Sequence, residues 1–138
     1  MRILVSACLM GKNCKYNGGN NESVSLRKYV QGHDVYEVCP EVMGGLSIPR
    51  IPCEIKNGIV MNKEGVSCDK EFRLGAHKAL NIALKEEIDL AILQSRSPSC
   101  GLKYIYDGTF SGTLTEGNGI FAQELIEHGF TVMDVEEL

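Results

Sequence analysis

Cys8, Cys39 and Cys100 stand just beyond short apolar runs: Arg2–Ser6, Val35–Val38 and, across the turn Ser95-Arg96-Ser97-Pro98-Ser99-Cys100, Asp89–Leu93. Each run reads as a buried strand, and the last delivers hydroxyls, a cation and a thiol into one turn. In parallel α/β sheets ligands bind beyond the carboxyl ends of the strands, so a sheet holding all three runs gathers the three thiols at one edge. Thiolates are nucleophiles and soft metal ligands. A three-thiolate site suits zinc or an iron–sulfur cluster. His33, His77 and His128 lie off these loops and supply no obvious fourth zinc ligand.

Other reactive types lie close by in sequence. Glu41 is two residues past Cys39, Ser97 and Ser99 flank Pro98, and Arg50 and Arg96 could meet an anion or neutralise a charged centre. Each also has a plain reading: a solvated carboxylate, turn hydroxyls, surface ion pairs. Cys14 reads equally as a loop residue or as a thiol supporting the site. It lies too far from Cys8 for a C-x-x-C clip. Cys53 and Cys68 read as structural.

The elements that must position these residues follow from periodicity and turn chemistry. A helix is expected over 22–31 with Gly32 as its stop, and Cys39-Pro40-Glu41 is expected in a loop. The prolines and glycines of 44–52 favour extended backbone. Asn57-Gly58 marks a hairpin between Glu54–Ile55 and Ile59–Met61. Phe72, Ala76, Ala79, Leu80, Ala83 and Leu84 repeat at helical spacing, predicting a main helix over Asp69–Glu87 with Asp69 as N-cap. Tyr104–Gly112 is a glycine-punctuated excursion expected to fold over the site. A last helix near Gly119–His128 and a strand at Phe130–Val132 complete the chain. The order predicts a small three-layer α/β fold over residues 1–138 as one domain: a mostly parallel sheet flanked by helices, with a β-hairpin insertion.

The formal charge of −4 argues against binding a nucleic-acid polymer through its phosphates. No apolar run is long enough to span a membrane. Val5-Ser6-Ala7-Cys8 resembles a lipoprotein cleavage site, but a secretory signal needs roughly 15–30 residues. Only seven residues precede Cys8. Six cysteines without such a signal point to a reducing compartment, hence the cytoplasm.

The stretches SACLMGKNCKYNG, CPEVMGGLSIPRIP, SRSPSCG, YDGTFSG and GNG together resemble the bacterial family that includes 2-thiouracil desulfurase, over nearly the whole chain. The resemblance implies a [4Fe–4S] cluster held by Cys8, Cys39 and Cys100, with Glu41 and Ser97 assisting hydrolysis of a small thiolated nucleobase or related heterocycle. It implies that one iron of the cluster binds the substrate sulfur and that sulfide is released. The chain departs from the family pattern at Gln94, where a lysine is common, and at Lys15 and Asn17, where arginine and aspartate are usual. Two rivals use the same residues: a non-catalytic cluster or metal module, and a thiol-redox protein using Cys8 and Cys14.

Overall fold

The computed structural model describes residues 1–138. Strand β1 (Arg2–Ser6) runs into a short 3-10 helix at Ala7–Met10, and helix α1 (Val24–Tyr29) follows after a coil. Strand β2 (Asp34–Val38) feeds the one-turn helix α2 (Pro40–Met43). The hairpin of β3 (Cys53–Lys56) and β4 (Ile59–Asn62) precedes the long helix α3 (Asp69–Lys85). Strand β5 (Leu90–Leu93), a second hairpin of β6 (Tyr104–Tyr106) and β7 (Leu114–Glu116), helix α4 (Ile120–Glu127) and strand β8 (Val132–Asp134) complete the order.

The main sheet has the order β2-β1-β5-β8, and every pairing in it is parallel. Alternation along the strands divides the core between its two faces. Leu4, Ala91 and Leu93 pack with Phe121, Leu125 and the Ala76–Ala79–Leu80–Ala83 stripe of α3. Ile3, Val5, Leu90 and Ile92 pack on the other face with Leu9, Leu26 and Val30. Helices therefore cover both faces, as a parallel sheet requires. All of β5 is buried, which is why its sequence reads as an unbroken apolar run. No helix is long and apolar enough to cross a membrane.

Several local expectations shift for identifiable reasons. Helix α1 starts later than expected because the Ser23 hydroxyl accepts the Leu26 N–H at 3.1 Å and caps it there. Cys39-Pro40-Glu41 is no loop. Cys39 is the N-cap of α2 and Pro40 takes the first helical position, where its missing N–H has no cost. Asp69 is not the N-cap of α3, a place held by Cys68; its carboxylate instead accepts the Val60 N–H and pairs with Arg73. The final strand lies two residues further on, at Val132–Asp134, because the Phe130 N–H still closes the end of α4 on the Leu125 carbonyl. The excursion after β5 is a hairpin in its own right.

The contact that sets the position of α2 is made of backbone. A Cβ added at Gly75 of α3 would overlap the Pro40 carbonyl, and one at Gly44 would overlap the carbonyl of Glu71. Gly75→Ala is therefore expected to cost about 2–3 kcal/mol despite alanine's better helix propensity, because neither helix can retreat without moving Cys39 and Glu41. Urea unfolding monitored by circular dichroism reads the loss, and a variant as stable as the parent would contradict the contact.

Asp69 supplies a pH-dependent prediction. Burial works to raise its carboxyl, but the Arg73 and Val60 hydrogen bonds outweigh that and hold it below the usual carboxylate range. The folded value is depressed, so the contribution is complete above the unfolded value of about 3.9 and fades as pH falls through the folded one. The stability lost in Asp69→Asn should thus be larger at neutral pH than in acid; equal losses at both would count against the bond.

Candidate active site

The site lies along the carboxyl ends of β2, β1 and β5. Cys8 sits in the 3-10 turn after β1, Cys39 caps α2 directly after β2, and Cys100 ends the turn that follows β5. That last turn is clamped by the start of α4. The Ile120 N–H donates to the Pro98 carbonyl at 2.8 Å, and those of Phe121 and Ala122 donate to the Ser99 carbonyl at 2.9 and 3.2 Å. Gly119 permits the approach, since a side chain there would strike the Ser99 carbonyl. Cys8, Cys39, Cys100, Cys14, Glu41, Arg50 and Ser97 all line one cavity of about 470 Å³.

Every cysteine is a free thiol. Burial pushes the Cys100 thiol up to about 12, only partly offset by hydrogen bonds from Ser6 and Ser99. Cys39 is raised by its contact with the Cys14 thiol and then by burial. For Cys14 the bond from Cys39 works downward, but its bond to Cys8 and its burial prevail, and the thiol is raised. These groups are therefore neutral thiols around neutral pH, poor nucleophiles that a metal centre would deprotonate on binding. No three such side chains converge on a point where a single metal ion could sit. An iron–sulfur cluster asks for something different, one thiolate per iron around a shared cavity, and the donor set of Cys8, Cys39 and Cys100 fits that demand.

Facing the thiols is a carboxylate with both oxygens engaged. Glu41 Oε1 accepts from Arg50 Nε at 3.1 Å and lies 3.0 Å from Nη2 of the same ion pair, and Oε2 accepts from the Ser99 hydroxyl at 2.8 Å. The two charged side chains are 7% and 16% exposed, Arg50 the more buried. Arg50 also donates to the Cys14 and Ser47 carbonyls, so one guanidinium fixes the first loop, the 44–52 segment and Glu41 together. Of the two serines, Ser99 and not Ser97 meets the carboxylate. Ser97 lies 3.3 Å from the Ser99 hydroxyl and accepts the Cys100 N–H at 2.7 Å.

Other residues singled out from sequence have different surroundings. Arg96 lines the cavity, yet its guanidinium binds both oxygens of Glu136 at 2.6 and 3.0 Å, which anchors the turn to the chain's end. Gln94 is half-buried at the cavity wall, its N–H held by the Ser6 hydroxyl. Asn17 points its carboxamide oxygen at the Gly19 N–H and shapes the first loop. Cys53 lines the cavity and contacts Cys68, and burial first, then that contact, raises its thiol.

The 104–112 excursion does reach over the cavity as a roof, as its sequence suggests, but the contact that ties it there was missed. Glu54 Oε1 accepts the Gly108 and Phe110 N–H groups at 3.0 and 3.1 Å, tying the β6–β7 hairpin to the β3–β4 hairpin, and Tyr106 and Phe110 then line the cavity. Gly108 turns the chain at a positive φ, and its carboxylate partner lies 54 residues away with no local signal. Ser6 and Asn21, whose carboxamide reaches Cys8 Sγ at 4.0 Å, were likewise silent.

A parallel α/β sheet with thiols at three neighbouring strand ends, faced by a carboxylate and hydroxyls, presents a soft donor set beside acid–base groups. Comparison with known proteins makes the class particular: the chain belongs to the 2-thiouracil desulfurase family, whose model matches residues 3–137. It is similar to the uncharacterized protein YbbK of Bacillus subtilis (strain 168), with 38% identity over 99% of this chain and 97% of that one. Among solved structures it resembles the [4Fe-4S]-dependent thiouracil desulfidase TudS, with a TM-score of 0.93 and 37% identity over 99% of this chain and 92% of that chain.

The buried ion pair makes a stability prediction. Arg50→Met removes the partner of a largely desolvated carboxylate and frees the Cys14 carbonyl, so a loss of about 3 kcal/mol is expected in urea unfolding. An unchanged midpoint would show that Glu41 is adequately solvated without it.

Proposed function

We propose that this chain removes sulfur hydrolytically from a small thiolated heterocycle such as 2-thiouracil, releasing sulfide, with Cys8, Cys39 and Cys100 holding a [4Fe–4S] cluster. The observation that carries this reading is the meeting of those three thiols with Glu41, Ser97 and Ser99 in one cavity, in a chain of the 2-thiouracil desulfurase family. Bound there, the cluster supplies a soft Lewis acid for the substrate sulfur with no net electron transfer.

The chain's own residues do the rest. Tyr106 and Phe110 on the roof give a flat ring apolar and aromatic surface, and the cavity volume is of the order that encloses small molecules. Arg50 holds Glu41 as an oriented carboxylate, the form that can take a proton from water. Ser97 presents a hydroxyl to the cavity, oriented by the Cys100 N–H. The raised thiol of Cys14 disfavours a redox role for the Cys8–Cys14 pair, and that of Cys39 favours a cysteine that becomes a thiolate only as a ligand.

Protein reconstituted with iron and sulfide without oxygen is expected to be brown, to hold about four irons, and to release sulfide from 2-thiouracil or a near relative. Cys100→Ser should lose both cluster and turnover, whereas Cys68→Ser should keep the cluster. Glu41→Gln should keep the cluster and lose about 100-fold or more in kcat. Full iron content with no sulfide released from any thiolated base would favour the non-catalytic cluster module instead.

A further inference from the structure

We propose that Ser99 is a buried proton relay that joins the cavity-facing hydroxyl of Ser97 to the carboxylate of Glu41 and conducts protons toward Glu41. The proposal rests on the desulfuration reading above and concerns how its base reaches water.

Both oxygens of Glu41 are already taken, Oε1 by Arg50 and Oε2 by Ser99. A carboxylate paired with a guanidinium only accepts, so the single hydroxyl proton of Ser99 lies on the 2.8 Å bond to Oε2. Its other acceptor, Cys100 Sγ, is at 3.7 Å and is the weaker one. With that proton committed, the 3.3 Å contact between the two serines has one possible direction: Ser97 donates and Ser99 accepts. Ser97 in turn accepts the Cys100 N–H. The chain thus has a polarity, from the cavity through Ser97 and Ser99 to Glu41. Ser99 is 3% exposed, so solvent cannot replace it, and the α4 amides that clamp the Pro98 and Ser99 carbonyls hold it in line.

In the reaction, an O–H bond of water breaks as its oxygen bonds to the thiocarbonyl carbon. The proton passes to Ser97 Oγ, the proton of Ser97 to Ser99 Oγ, and that of Ser99 to Glu41 Oε2. When the C–S bond breaks, the same path runs backward and the proton leaves with sulfur as hydrosulfide. The second proton of the water is released as the carbonyl forms. Glu41 is regenerated and no electron is exchanged.

The test uses cluster-loaded protein. Ser99→Ala is expected to lower kcat about 100-fold with little change in KM, at unchanged iron content, and Ser99→Thr to recover most of the loss. In mixtures of light and heavy water, the curved dependence of kcat expected of several moving protons should become linear in Ser99→Ala. The double variant Ser99→Ala/Glu41→Gln should be no slower than Glu41→Gln alone, because both block one path. Independently of turnover, the Ser99 hydroxyl proton should give a slowly exchanging NMR resonance that vanishes in Ser99→Ala and in Glu41→Gln. Wild-type kcat in Ser99→Ala, multiplying losses in the double variant, or no such resonance in the parent protein would each overturn the relay. A loaded parent that keeps the resonance yet desulfurates nothing would instead overturn the reading of function and leave the Ser99–Glu41 bond standing.

Discussion

The ion pair between Arg50 and Glu41 is the constraint around which the site is assembled. Taking two charges largely out of water is costly unless geometry and further hydrogen bonds compensate. Here they do, and the compensating partners are drawn from three distant segments: the Cys14 carbonyl, the Ser47 carbonyl and the Ser99 hydroxyl. The first loop, the proline-rich 44–52 segment and the turn after β5 are fixed relative to one another because each satisfies part of one buried pair. Cys14, Cys39 and Cys100 sit on, or next to, the very groups so fixed.

Beneath this polar assembly, two helix contacts are made backbone against backbone. Helix α2 meets α3 where Gly44 and Gly75 remove the side chains, and the Ser99 turn meets α4 where Gly119 does the same. Main-chain contacts of this kind leave little slack, since a carbonyl cannot adopt another rotamer. The turn of Cys39 and Glu41 and that of Ser99 and Cys100 are thus placed by main-chain contacts, to which the Arg50 bonds add the side-chain orientation.

How much of this was legible in the sequence follows from the range of each interaction. The strands, the α3 stripe and the Asn57-Gly58 hairpin are written in local periodicity and turn chemistry, and they stand close to where those signals place them. The convergence of Cys8, Cys39 and Cys100 followed from the geometry of parallel sheets once their strands were recognised. The Ser99–Glu41 bond was beyond reach because its partners are 58 residues apart, and because which serine of the turn points inward depends on how the turn docks on α4. Asp69 misled at shorter range: its type suits an N-cap, but its carboxylate accepts the Val60 N–H of the preceding strand and pairs with Arg73 instead.

The roof stands apart from all of this. It is tied to the β3–β4 hairpin by the Glu54 carboxylate and contributes Tyr106 and Phe110 to the cavity, whereas Cys8, Cys39, Cys100 and Glu41 come from the ends of the main-sheet strands. On the proposed reading, the surface that would hold the cluster and the surface that faces the substrate ring lie on separate pieces of chain. On that reading, altered bulk or polarity in the 107–113 loop redirects which ring is admitted while the cysteine-bearing floor keeps its shape, so the choice of ring and the inorganic chemistry can be varied one without the other.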